Sequence, residues 1–204
     1  MINTSFLTQK NQSIDFIQQV WSQIPWSRHA PSDRVDLCLL FAGLKPSVRL
    51  SIGETPYRTN FLNTMKVAGF DTAFDGDGYS VISPHKGFAE FILAIDQRNI
   101  PHAFEFGQFL GYPDCCARFI DHQGEHRIDE LALAFVKENL KDPYRFIDIS
   151  AYDKGIGLIS HVPCAYDCKA SLEIALGLKR FIESQECSGD FSLWKREVRS
   201  YFNF

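Results

Sequence analysis

A chain of 204 residues has room for one domain, or for one domain with a smaller appendage. Hydrophobic residues make up 45% of it and include 18 phenylalanines, so a substantial core can form. The 21 basic and 25 acidic residues give a formal net charge of -4, which argues against a nucleic-acid partner because such proteins usually carry a basic patch or stripe.

The first residues lack the basic region and apolar run of a secretory signal, and no apolar stretch has the length needed to cross a bilayer. We therefore expect a cytoplasmic protein with no membrane partner. Thiols stay reduced in the cytoplasm, where clustered cysteines favour metal binding or redox chemistry over structural disulfides.

Residues 1–83 alternate between helical and extended patterns, which predicts a small α/β portion. In chain order the patterns predict a helix over 12–24, strands over 35–44 and 48–52, a helix over 56–68, and strands over 70–74 and 79–82. The tetrapeptide Asp75-Gly76-Asp77-Gly78 is typical of a hairpin turn, because Asp-Gly steps tolerate positive φ. It is too short for a calcium-binding EF-hand loop.

Residues 84–204 are predicted to be mainly helical, since apolar residues recur there at helical intervals. The predicted helices cover 86–98, 102–110, 113–123, 127–140, 165–183 and 191–202. The fold class is therefore predicted to be α+β, with the small α/β portion followed by a helical portion. The two portions are expected as separate units or as two layers of one domain.

Four of the six cysteines lie in two short segments of the helical portion, and each pair follows a proline. Because proline is favoured in the first turn of a helix, Cys115 and Cys116 are predicted near one helix N-terminus. The same argument predicts Cys164 at a second helix start, with Cys168 one turn later on the same face. The partial positive charge of a helix N-terminus favours the thiolate form, which binds metals and attacks electrophiles.

Three functional interpretations of these cysteines remain open. The cysteines can ligate an iron–sulfur cluster, with His161 as an additional ligand, although their spacing matches no standard ferredoxin pattern. They can bind zinc, for which the adjacent Cys115 and Cys116 are awkward because helical neighbours point about 100° apart. A metal-free pair of thiols from the two segments can instead cycle through a disulfide.

Simple packing is the alternative for each cysteine. It is the better interpretation for Cys38, which lies in an apolar run, and for Cys187, which lies in a polar stretch. Four cysteines in two proline-led pairs argue against it for the remaining positions. The neighbouring Asp114 and Asp167 are interpreted as helix caps.

The two segments also resemble a known motif pair. They are Gly107-x-Phe109-Leu110-Gly111-Tyr112-Pro113-x-Cys115-Cys116 and His161-x-Pro163-Cys164-x-x-x-Cys168-x-x-Ser171. This pair resembles an uncharacterised family of prokaryotic proteins with a Leu-Gly-Tyr-Pro-x-Cys-Cys segment and a later His-x-Pro-Cys-x-x-x-Cys segment. The resemblance covers roughly residues 104 to 176 and implies that the two segments form one unit. It implies no activity, because the family is one of unknown function.

The sequence thus predicts a cytoplasmic metalloprotein that holds an iron–sulfur cluster and acts in a redox or sulfur-handling step on a small-molecule substrate. The predicted metal ligands are Cys115, Cys116, Cys164 and Cys168, and the predicted catalytic groups are Cys115 and His161. One alternative is a metal-free thiol/disulfide oxidoreductase. The other is a non-enzymatic binding module in which zinc or a disulfide staples two helices.

Overall fold

The structure is a computed structural model that describes residues 14–24, 26, 29–52, 56–97, 102–185 and 189–204. The α-helices are α1 (Ile14–Gln23), α2 (Asp33–Phe41), α3 (Tyr57–Val67), α4 (Phe88–Asp96), α5 (Ala103–Phe109), α6 (Asp114–Gln123), α7 (Ile128–Ala132), α8 (Ser150–Asp153), α9 (Lys169–Ser184) and α10 (Gly189–Phe202). The strands are β1 (Val48–Ser51), β2 (Asp71–Phe74) and β3 (Tyr79–Ser83). The predicted α+β class is confirmed.

The three strands form one antiparallel sheet in the order β1-β3-β2. Strands β2 and β3 are joined by the predicted hairpin turn, in which Oδ1 of Asp75 accepts the backbone N–H groups of Asp77 and Tyr79. Gly78 has a φ of 98°, which explains why this turn uses Asp-Gly steps. The carboxylate is therefore occupied by backbone donors, and the turn is structural.

The prediction of a strand over residues 35–44 is wrong, because this segment forms helix α2. Both sides of α2 are buried: Val35, Cys38 and Leu39 join one apolar core, whereas Leu37, Leu40 and Phe41 join a second core under the sheet. A helix with two apolar faces has a nearly continuous apolar sequence, which periodicity cannot distinguish from a buried strand. Cys38 packs in the first core, as predicted.

The predicted helix over 127–140 is interrupted. Helix α7 ends at Ala132, and short 3₁₀ turns follow at Leu133–Phe135 and Lys137–Asn139. The backbone of Val136 is extended, with φ and ψ of -82° and 151°, so no single helix continues through it. A further 3₁₀ turn covers Tyr144–Ile147.

The first core joins both portions of the chain, because α2 packs there with side chains from α9 and α10. A division near residue 83 stays a prediction. Within the described residues no helix is both long and apolar enough to cross a bilayer.

Candidate metal centre

The first cysteine pair lies where helix α5 turns back into helix α6. Gly111 makes this turn with a φ of 77°, and a Cβ atom there would lie 2.6 Å from Cδ of Pro46. Pro113 precedes α6, and its carbonyl accepts the backbone N–H groups of Cys116 and Ala117. Cys115 and Cys116 therefore lie in the first turn of α6, as predicted.

The second pair lies in a turn before helix α9. The prediction that this helix begins near Ala165 is wrong, because α9 begins at Lys169 and Cys168 occupies the N-cap position before it. The backbone N–H of Cys168 bonds to the carbonyl of Ala165, which folds the preceding segment into a compact turn. Cys164 thus reaches Cys168 through this turn and does not share a helix face with it.

The four sulfur atoms form one cluster, and all lie within 4.8 Å of one another. Sγ of Cys168 lies 3.8 Å from Sγ of Cys115, 3.6 Å from Sγ of Cys116 and 3.7 Å from Sγ of Cys164. Cys116 and Cys168 are buried, Cys164 is half-buried and Cys115 is exposed. The two segments therefore build one site, as the sequence predicts.

The sequence predicts that the adjacent Cys115 and Cys116 point apart and are awkward ligands for one ion, but the structure places their sulfur atoms close to each other. Sγ of Cys115 lies 3.8 Å from Sγ of Cys116, a separation close to those between Cys168 and its neighbours. The first turn of α6 brings both side chains to the same side of the turn before α9.

Ser171 links the cluster to His161. The Ser171 hydroxyl lies 3.3 Å from Sγ of Cys116 and 3.2 Å from Sγ of Cys168, while Nε2 of His161 lies 2.8 Å from Oγ of Ser171. His161 therefore contacts a residue that supports the cysteines and does not belong to the sulfur cluster. Its predicted role as an additional ligand is replaced by this supporting position.

Sequence reasoning assigned no role to Ser171. The available signal was its place three residues after Cys168, since one turn of helix returns a side chain to the same side.

The thiols of the cluster ionise unequally. Burial opposes ionisation of Cys168, but hydrogen bonds from Ser171 and from the neighbouring thiols outweigh it and lower the pKa of Cys168 to about 7. Burial raises the pKa of Cys164 to about 12 and raises that of Cys116 further, with added repulsion from the neighbouring sulfur atoms. One thiolate can form near neutral pH, whereas several together need a cation to balance their charge.

His161 is uncharged in this environment. Burial, together with the positive charge of Lys45, lowers the pKa of His161 to about 3. The ring therefore acts near neutral pH as a neutral imidazole with one N–H donor and one acceptor nitrogen.

A cavity of about 530 Å³ lies beside the cluster and is lined by Cys116, His161 and Tyr112. Lys45 also lines the cavity, and its buried ammonium donates to Oδ1 of Asp36 at 2.6 Å and to Oγ of Ser160 at 2.9 Å.

The other carboxylate oxygen of Asp36 accepts the Tyr152 hydroxyl at 2.6 Å. Burial, with the charge of Asp36, raises the pKa of Tyr152 well above its usual value. No local pattern in the sequence indicates this network, because its long-range hydrogen bonds join residues 115 and 116 positions apart.

Two other residues considered in the sequence, Asp114 and Asp167, are not part of the sulfur cluster. Asp114 is the first residue of α6 and accepts the side-chain amide of Gln108 at 2.9 Å, so it does not cap the helix as interpreted. Asp167 is exposed, and no side-chain cap precedes α9. Cys187 lies outside the described residues.

The chain was compared with family models, with curated proteins and with solved structures, and none of them matches it. The geometry of the site therefore carries the functional argument.

Proposed function

We propose that Cys115, Cys116, Cys164 and Cys168 together bind a single tetrahedral metal ion, and that this ion is zinc. Four thiolates around one Zn²⁺, each at a Zn–S distance of about 2.3 Å, have sulfur–sulfur separations of about 3.8 Å in a regular tetrahedron. Four of the six separations in the cluster are 3.6 to 3.8 Å. This agreement is the observation that supports the proposal.

An iron–sulfur cluster fits the same separations less well. Such a cluster places several irons and bridging sulfides between the cysteines, which holds their sulfur atoms further apart than a single ion does. A lone iron in a tetrathiolate site has the same shape as zinc, so metal analysis must distinguish the two.

Four cysteine ligands complete a tetrahedron and leave no open position, which is typical of a structural zinc site. In this proposal the metal fastens the start of α6 to the turn before α9, and Cys116 carries that support to the wall of the cavity. Any reaction on a small molecule then belongs to the cavity and not to the metal. This assigns the protein to the metal-stapled binding modules that the sequence left as an alternative.

The second candidate is a metal-free thiol/disulfide oxidoreductase. It is favoured by the exposure of Cys115, the pKa of about 7 at Cys168 and the 3.8 Å between their sulfur atoms. In that reaction two thiols of the cluster become one disulfide, while a substrate disulfide takes up the two electrons and two protons and becomes two thiols.

Anaerobic purification followed by metal and acid-labile sulfide analysis tests these proposals. We expect one zinc per chain and no labile sulfide. Cys164→Ala and Cys116→Ala should each lose the metal, whereas Cys38→Ala, which removes a buried thiol outside the cluster, should keep it. Full metal content in both cluster variants would contradict a shared site, and labile sulfide would restore the iron–sulfur interpretation. Metal-free protein with a readily reversible disulfide would support the oxidoreductase.

Replacement of zinc by Co²⁺ gives a second readout, because tetrahedral tetrathiolate cobalt has characteristic ligand-field bands. The resemblance to the prokaryotic motif family stays a prediction. It is consistent with this proposal in that both treat the two cysteine segments as one unit.

A further inference from the structure

The cavity beside the cluster has walls that suit an apolar body. Its apolar lining comes from α5, α6, α7 and the segments around α8: Phe106, Leu110, Ile120, Ile128, Ile149 and Val162. A volume of about 530 Å³ is in the range that holds one small organic molecule.

The charged side chains that line this cavity include more acids than bases. Lys45 pairs with Asp36 at 2.6 Å, and Arg49 pairs with Asp96 at 2.7 Å, so the two lining cations are already balanced. Three further acids line the cavity, are exposed, and have no ion-pair partner among the described residues: Glu125, Asp129 and Asp153. Because exposed lining residues lie where a cavity meets solvent, its mouth carries three uncompensated negative charges.

The buried end of the cavity offers a hydrogen-bond acceptor. His161 is only 6% exposed and lines the cavity, and its Nε2 is used by Ser171. Nδ1 has no hydrogen-bond partner among the described residues. It is also absent from the group of unpartnered side-chain atoms that are shielded from solvent. The atom therefore reaches the open space of the cavity.

The tautomer of His161 follows from the cluster. If the cysteines are thiolates, the Ser171 hydroxyl donates to sulfur, and its oxygen must then accept the Nε2–H of His161. Nδ1 is left as a bare acceptor facing the cavity. This step rests on the proposed metal site, whereas the charges at the mouth do not.

We propose that the cavity binds a small organic amine. Its ammonium group lies at the acidic mouth, its apolar body lies along the walls, and an N–H or O–H group on that body donates to Nδ1 of His161. The acids supply the preference for a cation, and His161 supplies the requirement for a donor at the buried end. The aromatic ring of Tyr112, 5.3 Å from the ring of His161, adds a flat surface beside that acceptor.

Three indoles that differ in side-chain charge test the proposal on the zinc-loaded full chain by isothermal titration calorimetry. Tryptamine carries an ammonium group, tryptophol is neutral, and indole-3-acetate is an anion, while all three keep the ring N–H. We expect tryptamine to bind about tenfold more tightly than tryptophol, and indole-3-acetate to bind most weakly. Equal affinity for the three compounds would overturn the proposal.

Spermidine separates cavity binding from simple attraction to surface acids, because it carries more positive charge but has no ring. We expect it to bind more weakly than tryptamine. If it binds as tightly as tryptamine, the acids merely attract cations and the cavity is not an amine site.

Variants at the mouth give the second test. Glu125→Gln combined with Asp129→Asn should weaken tryptamine binding about four- to ninefold, at about two- to threefold per exposed charge. The matched control is Asp121→Asn, since Asp121 is an exposed acid of α6 that does not line the cavity. An equal loss in the control would contradict a role for the mouth.

Two substitutions of His161 separate its two nitrogens. A glutamine amide reaches the Nε2 position and an asparagine amide reaches the Nδ1 position. His161→Gln should keep zinc content and lose tryptamine affinity about tenfold, whereas His161→Asn should keep tryptamine affinity but hold zinc more weakly. The opposite pattern would overturn the assignment of Nδ1 to the ligand.

Zinc content measured on the same samples distinguishes the two proposals. If the protein contains no zinc but still binds tryptamine more tightly than the other two indoles, the amine site is supported and the metal site is contradicted. If the protein contains zinc but binds the three indoles with equal affinity, the metal site is supported and the amine site is contradicted.

Discussion

Two clusters of polar side chains lie beside the same cavity, the Lys45–Asp36 network and the four cysteines, and they differ in how their charge is balanced. In the network of Lys45 and Asp36, one ammonium meets one carboxylate, and both carboxylate oxygens accept a hydrogen bond. In the cysteine cluster, no described lysine or arginine side chain is hydrogen-bonded to any of the four sulfur atoms. The charges of Lys45 and Asp36 balance each other within the chain. The four cysteines, in contrast, need a bound cation before all of them can ionise.

Metal removal should therefore have the largest effect on the molecule. We expect chelation of the bound zinc to lower the melting temperature by about 10 °C or more, because a ligand at 1,000 times its Kd stabilises the folded state by about 4 kcal/mol. Differential scanning calorimetry measures the shift. Hydrogen exchange should show the loss of protection concentrated at the start of α6 and in the turn before α9.

The control for this prediction is the Cys168→Ser variant treated with the same chelator. Because the variant lacks one ligand, chelation should change its melting temperature little. An unchanged melting temperature in the wild-type protein after complete zinc removal would contradict a structural role for the metal.

Removal of Asp36 from its ion pair with Lys45 should have the next largest effect on stability. Asp36→Ala leaves the Lys45 ammonium buried without its carboxylate, which we expect to cost about 3 to 5 kcal/mol of unfolding free energy. Urea unfolding measures this cost, and zinc content should remain at one per chain. A double variant, Asp36→Asn with Lys45→Met, should recover part of the stability because no charge is left buried. If Asp36→Ala also releases the zinc, the two groups are not independent.

The cysteine cluster should respond to pH through metal affinity. Zinc binds thiolates, and the raised pKa values of Cys116 and Cys164 mean that both thiols carry protons at pH 6 to 8 in the metal-free protein. Binding must release these two protons, so affinity rises with pH and falls as pH is lowered. We expect at least about a 100-fold loss of zinc affinity per pH unit in this range, measured by competition with a chromophoric chelator. A slope of tenfold or less would mean that only one thiol ionises on binding.

Much of the site was predictable because its chemistry lies in local motifs. Cys115 and Cys116 follow a proline that starts a helix, and the sequence places both correctly in its first turn. The assembly of the two segments was also predicted, from the concentration of four cysteines. The start of α9 was not, because Cys164 is held by a turn whose hydrogen bond from Cys168 to Ala165 has no signature in apolar spacing.

The rest of the site depends on contacts between distant parts of the chain. Helix α2 has the apolar sequence of a buried strand because both of its faces are covered. Asp36 lies in this helix and Lys45 follows it. Ser160, which accepts a hydrogen bond from Lys45, is 115 residues away from it along the chain. No local pattern indicates that such residues meet, so the network and the cavity become visible only in three dimensions.

The smallest predicted effect concerns Ser171, which joins the cluster to the cavity. Ser171→Ala removes the hydroxyl that supports Cys116 and Cys168, and it leaves Nε2 of His161 without its partner. Residues that hold metal ligands in place typically account for about 10- to 100-fold in metal affinity, and we expect a loss in that range with unchanged stoichiometry. Ser184→Ala is the matched control, because Ser184 lies in the same helix, is exposed and bonds only locally. Equal zinc affinity in both variants would show that the hydroxyl packs beside the sulfur atoms without supporting the metal.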